Sequence, residues 1–175
     1  DKRRGCWNFA MRIVGIDPGT ARIGYALVET GELRPRLLLA DTIETSPRRQ
    51  PAERLAEIEA ALASRLARDA PEVVAVERVY FSRNAKSAMA VAEARGVILL
   101  TARRHAPSIW ECTPPEVKSA VAGYGRGDKS QMRRAVRALL PGAALPAGDD
   151  AVDAIAVALT AAATIGRNFK GRRTM

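Results

Sequence analysis

The chain has 175 residues, of which 47% are apolar and 27% are charged, and this is the profile of one globular domain. Its 28 Lys and Arg residues outnumber its 19 Asp and Glu residues and give a net charge of +9, which favours a polyanionic partner such as nucleic acid or an anionic membrane. Two cysteines and a single histidine exclude a disulfide framework, a cysteine-based zinc site and the HExxH motif, so any metal must be held by carboxylates, as Mg²⁺ and Mn²⁺ are.

The ends of the chain are set apart from the domain. Residues 1–10, DKRRGCWNFA, precede the first strand pattern and are treated as an extension, either a cloning remnant or an alternative start upstream of Met11. We predict a single domain over residues 11–166 and a loose basic tail over 167–175. No apolar run approaches the ~18 residues needed to cross a bilayer, and no signal-peptide pattern is present, so a cytoplasmic location is expected.

Three strands are predicted to open the domain as an antiparallel meander. The first, MRIVGID, is a short apolar run that ends in an acid. The second, ARIGYALVET, follows the turn Pro18-Gly19-Thr20, and the third, LRPRLLLADTIET, follows a turn at Gly31 and Glu32.

Helices and strands alternate after the meander. Apolar residues at helical spacing predict helices over residues 51–70, 84–104 and 114–121, around 132–140, and from Asp149 onward. Strands are predicted at EVVAVE, which ends in Glu77, and over residues 108–112. This order indicates an α/β fold, in which a five-stranded mixed sheet is flanked by helices and its parallel strands follow the meander.

Four acids stand out by their position in these elements. Asp17 ends the first strand, Glu77 ends the fourth, and Asp150 and Asp153 lie three residues apart on one face of the last helix. In mixed α/β sheets, ligands gather at the carboxyl ends of the strands, so Asp17 and Glu77 share an edge if their strands are neighbours. Converging carboxylates repel one another unless cations lie among them, and a two-metal site for phosphodiester chemistry needs such oxygen ligands.

Each acid also has a plain structural interpretation. Asp17 precedes a Pro-Gly turn and could be a turn residue, and Glu77 could pair with the arginine that follows it. Asp149 or Asp150 could cap the last helix. A cap explains Asp153 less well, because that residue lies among apolar neighbours where an unpaired carboxylate is costly.

The segment GIDPGTARIGYA has a second possible meaning. An acid followed by a glycine-containing turn between two strands can bind phosphate through backbone N–H groups, as in sugar kinases of the actin-like ATPase superfamily. The chain is too short for the two-lobed cleft of those kinases.

Four separated blocks of the sequence resemble the RuvC-type Holliday-junction resolvases of bacteria. From Met11 to about Ile165 they occur in the family's order and with similar spacing: GIDPGTARIGYA, VVAVERVYFSRNAKSAMAVAEARGV, PPEVKSAVAGYGRGDKSQM and DDAVDAIAVAL. The resemblance implies a ribonuclease-H-like fold, a homodimer, and Mg²⁺-dependent paired nicking of four-way DNA junctions in recombination and repair. It also implies a branch-migration motor of the RuvA and RuvB type as a partner.

The resemblance places the family's catalytic and metal-binding acids on Asp17, Glu77, Asp150 and Asp153. Some members have histidine at the position of Asp150, so this chain has the all-carboxylate version. Two Mg²⁺ ions per site would activate a water and stabilise the leaving 3′-oxygen, and Mn²⁺ could replace Mg²⁺. The products would carry 5′-phosphate and 3′-hydroxyl ends. Asp17 is the best candidate for the bridging ligand, because it ends the central strand.

Contacts to DNA are predicted for six residues: Tyr80, Phe81, Arg83, Lys86, Lys118 and Lys129. Lys118 and Lys129 match basic positions that the family uses near the scissile strand, although a single lysine is more often a solvated surface residue. Tyr80 matches an aromatic position that engages junction bases, and one of the two aromatics is expected in the core. Arg83 and Lys86, at the start of the second long helix, are weaker candidates.

The second long helix carries Ala85, Ala88, Ala92 and Met89 on one face. Small residues permit close helix–helix approach across a dimer axis, and paired cuts make a twofold dimer mechanically natural. The same face could instead pack on the sheet within one chain.

Two other functions remain open from the sequence. One is a ribonuclease-H-like nuclease acting on RNA, against which the aromatic pair and the block from Lys118 to Lys129 argue. The other is a junction-binding module that does not cut, in which the acids are caps and ion pairs.

Overall fold

The computed structural model describes residues 10–31, 34–79, 85–123 and 128–171. Within these ranges, residues 85–87 and 166–171 are described by their backbone alone. The regular elements of the described ranges, in chain order, are β1 (Arg12–Asp17), β2 (Arg22–Glu29), β3 (Arg36–Glu44), α1 (Pro51–Asp69), β4 (Val73–Glu77), α2 (Ala85–His105), β5 (Ser108–Cys112), α3 (Pro114–Ala122), α4 (Lys129–Leu139) and α5 (Asp149–Gly171).

The five strands form one mixed sheet in the order β3-β2-β1-β4-β5. β1 pairs antiparallel with β2, and β2 with β3, so the meander is confirmed. β1 pairs parallel with β4, and β4 with β5, which makes β1 the central strand. The prediction that the first and fourth strands are neighbours is therefore confirmed. Because the two strands are parallel, their carboxyl ends lie at the same edge of the sheet.

The two-residue period of the strands divides the core into two layers. Ile13 of β1 and Ala75 of β4 face α5, together with α3 and α4. Val14 and Ile16 face the opposite layer, which α1 and α2 cover. Continuing the alternation directs residues 17 and 77, at the ends of β1 and β4, towards the α5 layer.

Two glycines allow α5 to lie directly on the sheet. A Cβ built on Gly15 would stand 2.1 Å from the carbonyl oxygen of Ala154, and one built on Gly24 would stand 2.0 Å from that of Asp150. Only glycine fits at such an approach, because the helix backbone cannot give way as a flexible side chain can. These glycines in β1 and β2 fix where the acids of α5 lie above the strand ends.

Two boundaries differ from the sequence expectation. α5 continues to Gly171, so the first residues of the predicted tail are helical. α4 begins at Lys129 rather than near residue 132, because Asp128 caps it: the Asp128 carboxylate accepts from the Gln131 N–H, and the Gln131 side chain accepts from the Asp128 N–H. Both differences arise from local helix continuation, which hydrophobic periodicity does not report.

The α2 face predicted to mediate dimerisation is divided by the fold. Ala88 is buried, and Ile98, further along α2, packs in the core layer together with residues of α1. Met89 and Ala92 are exposed, and Met89 keeps 67% of its surface accessible. The side chain of Ala85 lies outside the described residues. Packing within the chain therefore accounts for Ala88, and a role of the exposed side in dimerisation stays a prediction.

Among the described residues, no helix combines the length and the apolar composition that a membrane span requires.

Candidate active site

Asp17 and Glu77 lie side by side where the parallel strands β1 and β4 end. The register pairs Ile16 with Val76, so the next residue of each strand follows at the same edge. Each carboxyl group affects the pKa of the other through a hydrogen-bond interaction, and neither group is fully exposed. Arg78, the alternative partner for Glu77, instead has its Nε 3.9 Å from Glu111 Oε2. The arrangement favours a shared acidic site over a turn residue and a separate surface pair.

Burial and mutual repulsion raise the pKa values of these acids. Burial, followed by the charges of Glu77, Asp153 and Asp150 in that order, raises the pKa of Asp17 to about 8. Burial and the charge of Asp153 raise the pKa of Glu77 to about 7, while its hydrogen bond with Asp17 and the charge of Lys118 act in the opposite direction. The pair therefore binds a proton more readily near neutral pH than two isolated carboxyl groups would.

Asp150 and Asp153 enter the site from the first turns of α5. Burial raises the pKa of Asp153, and the charges of Asp149 and Asp150 add to the effect. Asp150 instead has a cationic partner, since Arg22 Nε lies 2.7 Å from its Oδ2. Because α5 begins at Asp149, residues 149 and 150 lie within its first turn, where acids are favoured by the helix dipole, rather than at the capping position.

The two predicted lysines lie on the α5 side of the sheet, close to the acids. Lys118, on α3, is half-buried and lowers the pKa of Glu77 through its charge. Lys129, in the first turn of α4, places its Nζ 3.2 Å from Asp149 Oδ2. Arg133 is engaged within the chain, donating to the carbonyls of Pro146 and Ala147 at 2.7 and 2.8 Å.

The remaining predicted DNA contacts cannot be placed. Tyr80, Phe81 and Arg83 lie outside the described residues, as does the side chain of Lys86. Their roles stay predictions from the sequence.

The donor set of the site consists of carboxylate oxygens. Such hard ligands suit Mg²⁺ or Mn²⁺, and the repulsion that raises the acids' pKa values is what a divalent cation would relieve. Across the described part of the chain, no group of three or more His, Cys, Asp or Glu side chains is already arranged to hold one metal ion. Metal binding would therefore need rearrangement of these side chains, and the raised pKa values mean that it would release protons from the acids.

Sequence reasoning missed the role of Arg22 and the requirement for Gly24. Arg22 begins β2, and its partner Asp150 is 128 residues away, so no local pattern links them. Gly24 lies in an otherwise apolar strand, and an isolated strand glycine is a signal for close backbone approach that could have identified the contact with α5.

Comparison with known proteins gives one family. The family model described as crossover junction endodeoxyribonuclease RuvC matches residues 13–161. The chain is 48% identical over 149 residues to a RuvC of this description from Moorella thermoacetica, covering 85% of this chain and 89% of the relative. It is 41% identical over 166 residues to one from a Roseiflexus species, covering 93% of this chain and 99% of the relative.

Solved structures agree with the sequence comparisons. A structure described as Thermus thermophilus RuvC in complex with Holliday junction substrate superposes with a TM-score of 0.83 at 34% identity, covering 90% of this chain and 96% of the other. The yeast mitochondrial Holliday junction resolvase superposes with a TM-score of 0.64 at 15% identity, covering 93% and 84% respectively, and shares the fold alone. The expected ribonuclease-H-like fold is confirmed.

Proposed function

The chain belongs to the RuvC family of crossover junction endodeoxyribonucleases, and we propose that it resolves four-way DNA junctions by paired symmetric nicks in recombination and repair. The observation that carries this function is the meeting of Asp17, Glu77 and Asp153 at one sheet edge, where the charges of Glu77 and Asp153 raise the pKa of Asp17 and the charge of Asp153 raises that of Glu77. A cluster of half-buried, repelling acids destabilises a fold, and a cation-dependent reaction explains its presence.

The four acids Asp17, Glu77, Asp150 and Asp153 would hold two Mg²⁺ ions, with Mn²⁺ as a substitute. When bound, such ions lower the pKa of a water and stabilise the charge on the leaving oxygen. Asp17 is the best candidate for a ligand that both ions would share, because it ends the central strand and its pKa responds to all three other acids. Because its pKa is raised to about 8, Asp17 must lose its proton before it can act as an anionic ligand.

Hydrolysis in this site would break the bond between phosphorus and the 3′-oxygen. The oxygen of water stays on phosphorus, which gives a 5′-phosphate and a 3′-hydroxyl. Lys118 lies close enough to Glu77 to affect its pKa, so a phosphate bound at the acids falls within reach of its charge. Lys129 would contact the same strand after leaving Asp149, an exposed ion pair that costs little to break.

Tyr80, Phe81, Arg83 and Lys86 complete the proposed DNA contacts. They directly follow β4 and lead into α2, so they are close in sequence to Glu77. Aromatic side chains beside a nuclease site can stack on unpaired bases at a junction, and the arginine and lysine can neutralise phosphates.

A homodimer is part of the proposal, because one site cuts one strand and resolution needs two symmetric cuts. The exposed side of α2 supports it: Met89 and Leu100 expose 67% and 53% of their surface, and nothing lies within 4 Å of a Cβ built on Gly96. A branch-migration motor of the RuvA and RuvB type as partner, and a cytoplasmic location, belong to the same proposal.

The test uses purified protein and a synthetic four-way DNA junction with each strand labelled in turn. We expect paired nicks that require Mg²⁺ or Mn²⁺, ends that a ligase can rejoin, and little cleavage of a linear duplex of the same sequence. Equal cleavage of RNA hairpins would assign the site to RNA instead. Binding of the junction without cleavage in Mg²⁺ would favour a binding module.

A further inference from the structure

Arg22 is the one cation in direct contact with an acid of the proposed metal-binding set, as far as the described side chains extend. It is the first residue of β2, and its side chain lies on the same face of the sheet as α5. Its Nε donates to Asp150 Oδ2 at 2.7 Å, which is the distance of a strong charge-assisted hydrogen bond. The bond occupies one oxygen of Asp150 and leaves Oδ1 for a cation.

Two neighbours restrain the guanidinium group. Arg22 pairs in register with Glu44 of β3, and its Nη2 lies 3.7 Å from Glu44 Oε1. On the other side, a Cβ built on Gly148 would stand 3.5 Å from the same Nη2. The guanidinium group therefore lies between the end of β3 and the segment that leads into α5. Glu44 and Asp150 hold it from two directions, although the side chain keeps 52% of its surface accessible.

We propose that Arg22 is a positioning residue that orients the Asp150 carboxylate and partly neutralises the negative charge of the acidic site. This inference rests on the proposed function, in which Asp150 is a metal ligand. Its guanidinium fixes the direction of the carboxylate through a planar donor that lysine cannot reproduce. Its positive charge also opposes cation binding, since a like charge next to a ligand weakens the attraction of the site for a second cation.

The two effects predict opposite changes when Arg22 is removed. In Arg22→Gln the site gains one unit of negative charge, so Mn²⁺ should bind about 3–10-fold more tightly to the DNA-free protein. Junction cleavage at saturating Mg²⁺ should be about 10–100-fold slower, as for other residues that orient metal ligands. Arg22→Lys keeps the charge and loses the planar fork, so its Mn²⁺ affinity should stay within about twofold of wild type while cleavage is slower.

The experiment combines calorimetric titration of the DNA-free protein with Mn²⁺ and single-turnover cleavage of a four-way junction. Arg36→Gln is the matched control, because Arg36 Nη2 forms a 2.8 Å ion pair with Glu29 at the opposite edge of the sheet. It should leave both quantities unchanged. Metal binding is measured without DNA, so a change there cannot arise from a lost phosphate contact.

Tighter Mn²⁺ binding with slower cleavage in Arg22→Gln, and unchanged Mn²⁺ binding in Arg22→Lys, would support the inference. Wild-type values of both quantities in Arg22→Gln would overturn it. Weaker Mn²⁺ binding in both variants would also overturn it, because it would mean that Arg22 acts only as a structural prop. A wild-type protein that neither binds Mn²⁺ nor cuts would contradict the proposed function itself, which separates the two failures.

Discussion

Asp17 is the residue at which the interactions of the acidic site converge, since burial and the charges of Glu77, Asp153 and Asp150 all raise its pKa. Asp17→Asn keeps the shape of the side chain and removes its negative charge. We expect this variant to bind a four-way junction with wild-type affinity or better and to cut it about 1,000-fold more slowly or worse. Electrophoretic mobility shift and cleavage assays on the same junction measure both. Loss of binding would assign Asp17 a structural role.

The raised pKa of Asp17 also predicts a pH dependence of stability. The folded pKa of about 8 lies above the ordinary value of 3.8, so the folded state binds more protons, and the free energy of unfolding falls as the pH rises from about 4 to about 8. Asp17→Asn removes this contribution. In EDTA, its stability relative to wild type should rise by about 1–3 kcal/mol between pH 5 and pH 8.5, as measured by urea unfolding. An equal difference at both pH values would contradict the raised pKa of Asp17.

Lys118 is the basic residue whose charge reaches Glu77. If it contacts a phosphate, Lys118→Ala should reduce the slope of log Kd against log salt by about one and slow cleavage. Arg104→Ala serves as the control, because Arg104 is exposed at the end of α2, where the chain turns towards the start of β5 and away from the acids. An unchanged salt slope with unchanged cleavage would remove Lys118 from the site.

At the scale of elements, the fit of α5 on the sheet brings the acids together. Gly24→Ala would force a methyl group against the Asp150 carbonyl, which a Cβ at this position would approach to 2.0 Å. The helix must shift, so we expect a loss of about 2–4 kcal/mol in the free energy of unfolding together with a loss of cleavage.

Gly96→Ala provides the matched control for that change. A Cβ at Gly96, inside α2, meets nothing within 4 Å, and alanine favours a helix by about 1 kcal/mol over glycine. Thermal unfolding should therefore move in opposite directions for the two variants when both are made in a background with charged substitutions at Met89 and Leu100, which removes any partner contact at Gly96. A Gly24→Ala protein as stable as wild type would show that α5 can adjust without displacing Asp150.

At the scale of the whole molecule, the proposed paired cutting needs two copies of the chain. Met89→Glu with Leu100→Glu places charges on the exposed side of α2, and we expect the double variant to be monomeric in analytical ultracentrifugation. On a plasmid with an extruded cruciform it should produce nicked circles rather than linear DNA. Leu38→Glu, at a 37% exposed apolar residue of β3, is the control and should remain dimeric. A dimeric double variant would place the interface elsewhere.

Hydrophobic periodicity in the sequence predicted all five strands, the order of helices and strands, and the placement of Asp17 and Glu77 at strand ends. These are local properties, because a side chain's position in a strand or helix determines which face it occupies. The resemblance to a known family added the fold and the activity, which the comparisons confirm.

Only the tertiary structure decided how the acids are partnered. It brought Asp17 and Glu77 close enough to shift each other's pKa, paired Asp150 with Arg22, and placed Lys129 against Asp149. Such contacts depend on where α5 rests on the strands, which is set by backbone approach at Gly15 and Gly24. No local pattern contains that distance, because it is fixed only when segments more than 100 residues apart pack against each other.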